Sequence, residues 1–152
     1  MKVLHTSDLH LGKRVHGYSM VEDQRFILDR MVEAVQEHRP DAMIIAGDVY
    51  DRAVPTEEAV SMFGDFLERV TDEDCEVYIV SGNHDSGTRL SFCGPILSRN
   101  GVHIAGEFDG KAERLTVEDG YGRLNVYLLP YFKVSEVRNA LGVEVHGYPE
   151  AM

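Results

Sequence analysis

Three short apolar runs alternate with two amphipathic stretches in the first half of the chain. Residues 2–6, 42–46 and 75–80 are rich in apolar and β-branched side chains, which predicts buried strands. Between them, apolar residues recur at three- and four-residue spacing over 20–38 and 55–70, which predicts two helices. Strand, helix, strand, helix, strand is the order of parallel βαβ units with right-handed crossovers. The pattern therefore predicts an α/β fold.

The two predicted helices have recognisable ends. Arg39 and Pro40 close the first helix, because the residue before a proline disfavours helical backbone. The second begins after Thr56, its predicted N-cap, with acidic residues in the first turn that suit the helix dipole. The residues of the first helix that we expect to cover the sheet are Val21, Phe26, Ile27, Met31, Val32 and Val35.

Shorter elements are predicted in the second half of the chain. They are a short helix over 89–98, a strand over 102–105, a β-hairpin formed by 113–117 and 124–129, and a weak helix over 135–141. The last residues, 142–152, show no cap or strand pattern. With 152 residues and no internal repeat or linker, the length predicts a single domain.

Each of the first three predicted strands is followed by polar residues suited to metal or phosphate chemistry. They are Asp8 and His10, then Asp48, Asp51 and Arg52, then Asn83, His84 and Asp85. Because ligands of open α/β sheets bind at the carboxyl edge of the strands, we expect the three clusters to converge there. Gly82 should free the third turn from the usual limits on φ.

The residue types fit a site for two divalent ions that grips a phosphoryl group. Asp8 and His10 are two residues apart, so in an extended segment both would project to one side and hold one ion. Oxygen with imidazole suits manganese, iron or zinc better than calcium. Asp48 is the natural bridging carboxylate between ions about 3.5–4 Å apart. Asn83 would hold the second ion without adding negative charge.

Four further residues are candidates for catalysis or substrate binding. His84 is expected to protonate the leaving group or stabilise the phosphorane. We expect Asp85 to orient the His84 ring. Asp51 and Arg52 lie close enough to contact the substrate, although an ordinary loop ion pair explains them equally well.

Composition argues against some classes of function but does not identify one. The net charge of −11 argues against simple electrostatic binding of nucleic acid, although bound cations would neutralise part of an acidic cluster. Cys75 and Cys93 lack metal-type spacing and are predicted to be reduced core thiols. No apolar run approaches the roughly 20 residues of a membrane span, and no signal-peptide pattern is present. A cytoplasmic location is the resulting prediction.

Taken together, the polar motifs resemble those of the calcineurin-like metallophosphoesterase superfamily. The motifs are Asp8-Leu9-His10, Gly47-Asp48-Val49-Tyr50-Asp51-Arg52 and Gly82-Asn83-His84-Asp85. Within the superfamily, residues 5–12, 46–51 and 128–131 are similar to the SbcD family of nuclease subunits, the bacterial relatives of the eukaryotic meiotic recombination nuclease. The similarity extends over nearly all of the chain.

This resemblance implies a four-layer α/β/β/α fold and manganese-dependent cleavage of DNA phosphodiesters, with 3′→5′ exonuclease and endonuclease activities. The implied cofactors are two divalent ions, Mn²⁺ first and Mg²⁺, Fe²⁺ or Zn²⁺ as alternatives. The implied partner besides DNA is an SMC-like coiled-coil ATPase, and a homodimer is left open. By motif match the metal ligands are Asp8, His10, Asp48 and Asn83, the catalytic histidine is His84, and Asp51 guides the DNA strand.

The sequence departs from the family pattern in one respect. The family completes its site with a Gly-His motif and a later Gly-His-x-His motif, and neither His103 nor His146 stands in such a context. We therefore expect residues 1–152 to be the N-terminal portion of the domain, with a weakly held second ion and little activity alone. Two alternatives stay open: a metallophosphoesterase for a small nucleotide or sugar diphosphate, and a catalytically silent scaffold for the ATPase. The complete motifs count against the scaffold.

Overall fold

The fold, described over residues 1–152 by a computed structural model, is built of eight strands and six helices. The strands are β1 (Val3–Thr6), β2 (Arg14–Val15), β3 (Tyr18–Ser19), β4 (Ala42–Ala46), β5 (Glu76–Val80), β6 (Val102–Ala105), β7 (Glu113–Asp119) and β8 (Gly122–Leu128). The helices are α1 (Val21–His38), α2 (Glu57–Thr71), α3 (Gly87–Leu90), α4 (Gly94–Leu97), α5 (Val134–Leu141) and α6 (Tyr148–Ala151), with a 3₁₀ turn over Ser98–Asn100.

A parallel sheet forms the centre of the molecule. Its strand order is β1-β4-β5-β6, and every neighbouring pair is parallel. The strands β7 and β8 form a separate antiparallel hairpin. The α/β prediction is therefore confirmed, and the first three parallel strands end at one common edge, as the βαβ order requires.

The helices α1 and α2 cover one face of this sheet. Alternate strand residues such as Met43, Ile45 and Val77 point into this core, and α1 contributes Leu28 and Val32. Nineteen buried residues form the cluster, so it is the main apolar core.

The predicted core face of α1 needs a correction. Phe26 and Ile27 are 63% and 49% exposed, whereas Leu28, which the prediction left out, is buried. Val21, Leu28, Val32 and Val35 lie on one stripe at seven-, four- and three-residue spacing, and Phe26 and Ile27 fall outside it.

The β7–β8 hairpin packs on the opposite face of the sheet. Leu128 lies against Ala42, Tyr78 and Ala105, which alternate along their strands with the residues that face the helices. Helices, parallel sheet and hairpin thus form successive layers. The arrangement is consistent with the metallophosphoesterase fold.

The predicted ends of the two long helices are confirmed. The Thr56 hydroxyl oxygen accepts a hydrogen bond from the Ala59 N–H at 3.2 Å, so it caps α2. Arg39 adopts left-handed backbone with φ 44°, and its N–H donates to the Val35 carbonyl at 2.8 Å directly before Pro40.

Three short regions of the structure differ from the prediction. The strands β2 and β3 form a small hairpin around His16 and Gly17, whose φ values of 49° and 86° match a tight two-residue turn. The helix predicted over 89–98 is two separate turns, α3 and α4, interrupted at Cys93 with φ 62°. The final residues contain α6. No helix combines the length and apolar character that crossing a bilayer requires.

The two cysteines have different environments, so the prediction of two core thiols is wrong for one of them. Cys75 is buried, and burial together with the Asp41 and Glu76 charges raises the pKa of its thiol to about 11. Cys93 is exposed. At pH 8 we expect Ellman's reagent to label about one thiol per chain quickly, and Cys93→Ser to remove that phase. Two equally fast thiols would contradict this packing of Cys75.

Candidate metal centre

The loops that follow β1, β4 and β5 are joined by hydrogen bonds at the sheet edge. The Asp8 N–H donates to the Gly47 carbonyl at 3.0 Å, and the His10 N–H donates to the Asp48 carbonyl at 2.9 Å. The His84 N–H in turn donates to the Asp48 carboxylate at 3.0 Å. The three polar clusters therefore converge, with Asp48 in contact with both neighbouring loops.

Their side chains place several metal-binding atoms close together. His10 Nε2 lies 3.7 Å from Asp8 Oδ1 and 3.8 Å from Asp48 Oδ2. One ligand atom from each of His10, Asp48 and His84 lies within 4.8 Å of the others. Donors bound to one octahedral ion at ~2.1 Å are separated by ~3 Å, so small side-chain movements would bring these atoms onto a common cation.

An unsatisfied nitrogen also indicates that a cation fits here. His10 Nδ1 is buried and has no hydrogen-bond partner, and the nearest charged oxygen, on Asp51, is 3.8 Å away. Buried polar atoms are nearly always paired. Nδ1 faces Asp51, whereas Nε2 is the nitrogen that faces Asp8 and Asp48. An imidazole whose nitrogens form no hydrogen bond among three carboxylates matches the donor set of a transition-metal site.

The backbone of three of the four predicted ligands is strained. Asp8, His10 and Asp48 have φ values of 58°, 44° and 52°, in the left-handed region that non-glycine residues rarely adopt. Strained residues of this kind concentrate at functional sites. The expectation of an extended Asp8–His10 segment is wrong, because left-handed turns rather than strand alternation bring the two side chains together.

The glycines Gly47 and Gly82 allow the loops to approach so closely. A Cβ atom on Gly82 would lie 2.0 Å from Asp48 Oδ1 and 2.3 Å from the Asp48 nitrogen, and a Cβ on Gly47 would lie 3.1 Å from the Gly82 Cα. Gly82 does not have a positive φ, so the expected conformational reason is wrong. Its role is to leave room for the Asp48 carboxylate.

Asp85 has a different contact from the one predicted. Its carboxylate accepts hydrogen bonds from the N–H groups of Val49 at 3.1 Å, Tyr50 at 2.9 Å and Gly82 at 2.9 Å. It therefore fixes the backbone of two ligand loops instead of orienting His84. Burial, with the Asp85 charge, raises the pKa of the Tyr50 phenol to about 12, so Tyr50 stays neutral at ordinary pH.

The His84 ring is held by the loop that follows β4. His84 Nδ1 lies 3.0 Å from the Asp51 carbonyl oxygen, which can only accept, so Nδ1 carries the proton. The ring meets His10 edge-on, with centroids 4.8 Å apart. This tautomer leaves His84 Nε2 as the nitrogen available for proton exchange.

The remaining predicted site residues are less closely engaged. Arg52 is 76% exposed, and its Nε lies 3.8 Å from Asp51 Oδ2, a solvated loop ion pair. The Asn83 side chain forms no hydrogen bond and lines a polar cleft of about 380 Å³ with Tyr131 and Lys133. Its role as a ligand of a second ion stays a prediction.

Gln24 positions the first ligand loop, and the sequence analysis missed it. Its amide nitrogen donates to the Leu9 and His10 carbonyls at 3.2 and 2.7 Å, and its oxygen accepts from the Gly12 N–H at 3.0 Å. A signal was available, because Gln24 is a polar residue on the buried stripe of α1, three residues after Val21.

We expect Gln24→Ala to weaken Mn²⁺ binding about 10–100-fold, as loss of an outer-shell partner typically does. The reason is that three backbone groups beside His10 lose their partner. Isothermal titration with Mn²⁺ measures the effect. Gln36→Ala is the matched control, since Gln36 is an exposed glutamine whose side chain bonds only to Glu73. Equal affinities for the two variants would contradict the role assigned to Gln24.

The site can be compared with known protein families. The family model of calcineurin-like phosphoesterases matches residues 1–148. Proteins of this family hydrolyse phosphoesters with bound metal, and atoms of His10, Asp48 and His84 that can bind a metal lie within 4.8 Å of one another at the sheet edge. The chain belongs to the calcineurin-like phosphoesterase family.

Proposed function

We propose that this chain is the N-terminal part of an SbcD-type nuclease subunit that hydrolyses DNA phosphodiester bonds with two divalent ions, Mn²⁺ first. The observation that carries the proposal is that Asp8 and Asp48 both lie beside His10, with the His84 N–H bonded to Asp48. The Asp8 side chain is 66% exposed, so this side of the site is open to solvent. The similarity of residues 5–12 and 46–51 to the SbcD family supports DNA as the substrate.

The ligands divide around Asp48. Asp8, His10 and Asp48 would hold the first ion, and Asp48 with Asn83 would hold the second. The bound ions would supply Lewis acidity and a nucleophile at neutral pH. The side chains of Asp85 and Gln24 keep the loops in place through hydrogen bonds to loop backbone groups.

In this proposal His84 handles the proton of the leaving group. The Asp51 carbonyl engages Nδ1 at 3.0 Å and so leaves Nε2 free. In its protonated form, Nε2–H would donate to a phosphoryl or leaving oxygen. Asp51 acts on catalysis through the His84 ring, in addition to any contact with the DNA strand.

The second ion has fewer protein ligands than the first. Asp48 and Asn83 together give two side-chain donors against three at the first ion, so water would have to fill most of its roughly six positions. We propose that further donors come from the histidine motifs that the resemblance implies, outside residues 1–152. An SMC-like coiled-coil ATPase as partner, a homodimer and a cytoplasmic location belong to the same proposal.

A nuclease assay tests both parts of the proposal. Linear duplex DNA should be degraded in Mn²⁺ by the full gene product and barely by residues 1–152, and EDTA should stop the reaction. A full-length protein that leaves DNA intact would defeat the nuclease assignment. A vigorously active fragment would defeat the claim that ligands are missing.

A small-molecule phosphoesterase is the second candidate. The net charge of −11 favours it, and so does the acidic lining of the cleft beside Asn83, where Glu107, Asp109 and Glu136 would repel a polyanion. Strong turnover of a nucleotide or sugar diphosphate, with no action on DNA ends, would decide for this candidate.

A further inference from the structure

An apolar pocket of about 300 Å³ opens directly beside the metal ligand Asp8. It lies between the first ligand loop, the β2–β3 hairpin and α1. Its volume is at the small end of the roughly 300–1,000 Å³ typical of ligand pockets. Its apolar lining includes Leu9, Val15, Ile27 and Met31. Asp8 lines the pocket and lies 3.7 Å from His10, so the pocket adjoins the candidate metal centre.

Part of this lining lies outside the protein core. Ile27 and Val15 are 49% and 41% exposed, so they leave apolar area in contact with water. Covering such area is favourable in proportion to the area removed from water. The pocket can therefore bind an apolar group.

The polar groups inside the pocket are already used. The Gln24 amide is fully engaged with backbone groups, and the Ser7 hydroxyl donates to the Asp8 carboxylate. The other polar side chains that line the pocket are the charged residues Lys13 and Asp23. An occupant would therefore be held by its apolar faces, with few specific hydrogen bonds to its edge.

The charge on the two sides of the metal centre favours substrate on this side. The cleft beside Asn83 carries several acids and one cation, Lys133. The pocket beside Asp8 is lined by one cation, Lys13, and two acids, Asp8 and Asp23, and the exposed Arg14 follows Lys13 in the hairpin. An anionic backbone would be repelled more strongly by the first surface than by the second, where Lys13 and Arg14 offset the two acids.

We propose that this pocket receives the base of the nucleotide whose phosphate lies at Asp8 and Asp48, an inference that rests on the proposed function. A nucleobase has broad apolar faces, and contact through those faces tolerates any sequence. The four bases should therefore bind with similar affinity. The pocket would place the nucleoside on the Lys13 side of the phosphate.

Ligand-observed NMR tests the pocket without metal or turnover. Saturation transfer from the protein to millimolar thymidine should be strongest at the base protons, and adenosine should compete. Ile27→Glu should remove the signal, because it places a charge in the apolar lining. Phe26→Glu is the matched control: Phe26 is 63% exposed on the same helix and does not line the pocket. Saturation limited to the sugar, no signal, or equal loss in both variants would overturn the proposal.

A kinetic comparison links the pocket to the reaction. With Mn²⁺ and the full-length protein, Ile27→Glu should raise KM for thymidine 5′-(p-nitrophenyl) phosphate about tenfold, the low end for loss of an apolar contact. It should leave the KM for methyl p-nitrophenyl phosphate unchanged, since that diester has no base. Base binding without any DNA cleavage would retain the pocket and defeat the nuclease proposal. DNA cleavage without base binding would retain the nuclease proposal and defeat the proposal for the pocket.

Discussion

Replacing Asp48 with asparagine should lower the rate of metal-dependent phosphoester hydrolysis about a thousandfold or more. Asp48 is the carboxylate that lies near His10 and accepts from the His84 N–H. Losing its charge removes several kcal/mol of the stabilisation that a held ion provides, at about 1.4 kcal/mol per tenfold in rate. Asparagine keeps an oxygen for the His84 N–H, so the fold should survive.

Thermal melting with and without Mn²⁺ separates ion binding from folding. In the parent protein, the melting temperature should rise on adding Mn²⁺, because an ion at 100 times its Kd contributes about 2.7 kcal/mol. The rise should disappear in Asp48→Asn. Asp65→Asn, a change to an exposed carboxylate on α2, should leave the rise intact. An unchanged Mn²⁺ response in Asp48→Asn would refute its role as the shared ligand.

Gly82→Ala should damage both stability and metal binding, although it adds one methyl group. The new Cβ would meet the Asp48 carboxylate at 2.0 Å and its backbone nitrogen at 2.3 Å, so the ligand loop must move. Forcing an atom into a packed site costs about 1–3 kcal/mol. Displacing a catalytic group by about 1 Å can reduce the rate about 10²-fold.

Gly64→Ala should have the opposite effect on stability, and the same unfolding measurement compares the two variants. Gly64 lies within α2, and a Cβ there would meet nothing within 4 Å. Alanine in a helix interior should therefore stabilise the protein by about 0.5–1 kcal/mol. Urea unfolding of both variants, followed by circular dichroism, measures the two changes. If Gly82→Ala were as stable as Gly64→Ala and bound Mn²⁺ normally, the close packing on Asp48 would be disproved.

The arrangement of the site could be predicted because it depends on topology. Parallel strands joined by helices must end at one edge, so placing Asp8, Asp48 and His84 after successive strands was enough to bring their loops together. The cap at Thr56 was equally readable, because its chemistry is local. Such features need only the order of elements and the identity of a few residues.

Other features depended on distances that no pattern contains. Asp85 was expected at the His84 ring, yet it satisfies three backbone N–H groups, and the spacing of two neighbouring residues cannot distinguish these outcomes. The exposure of Phe26 and Ile27 was missed because α1 carries apolar residues on more than one side. The β2–β3 hairpin has strands of two residues, too short for any periodicity.

The left-handed backbone at Asp8, His10 and Asp48 affects how mutational scans of this centre should be designed. Asparagine tolerates that conformation better than most residues, whereas alanine does not share this tolerance and a β-branched side chain fits it worst. An alanine scan would therefore combine a conformational penalty with the loss of a donor atom and overstate the importance of each side chain. Amide replacements remove the charge of the ligand with little conformational penalty. The difference between the amide and alanine series would therefore measure the energy of the unfavourable backbone conformation at each position.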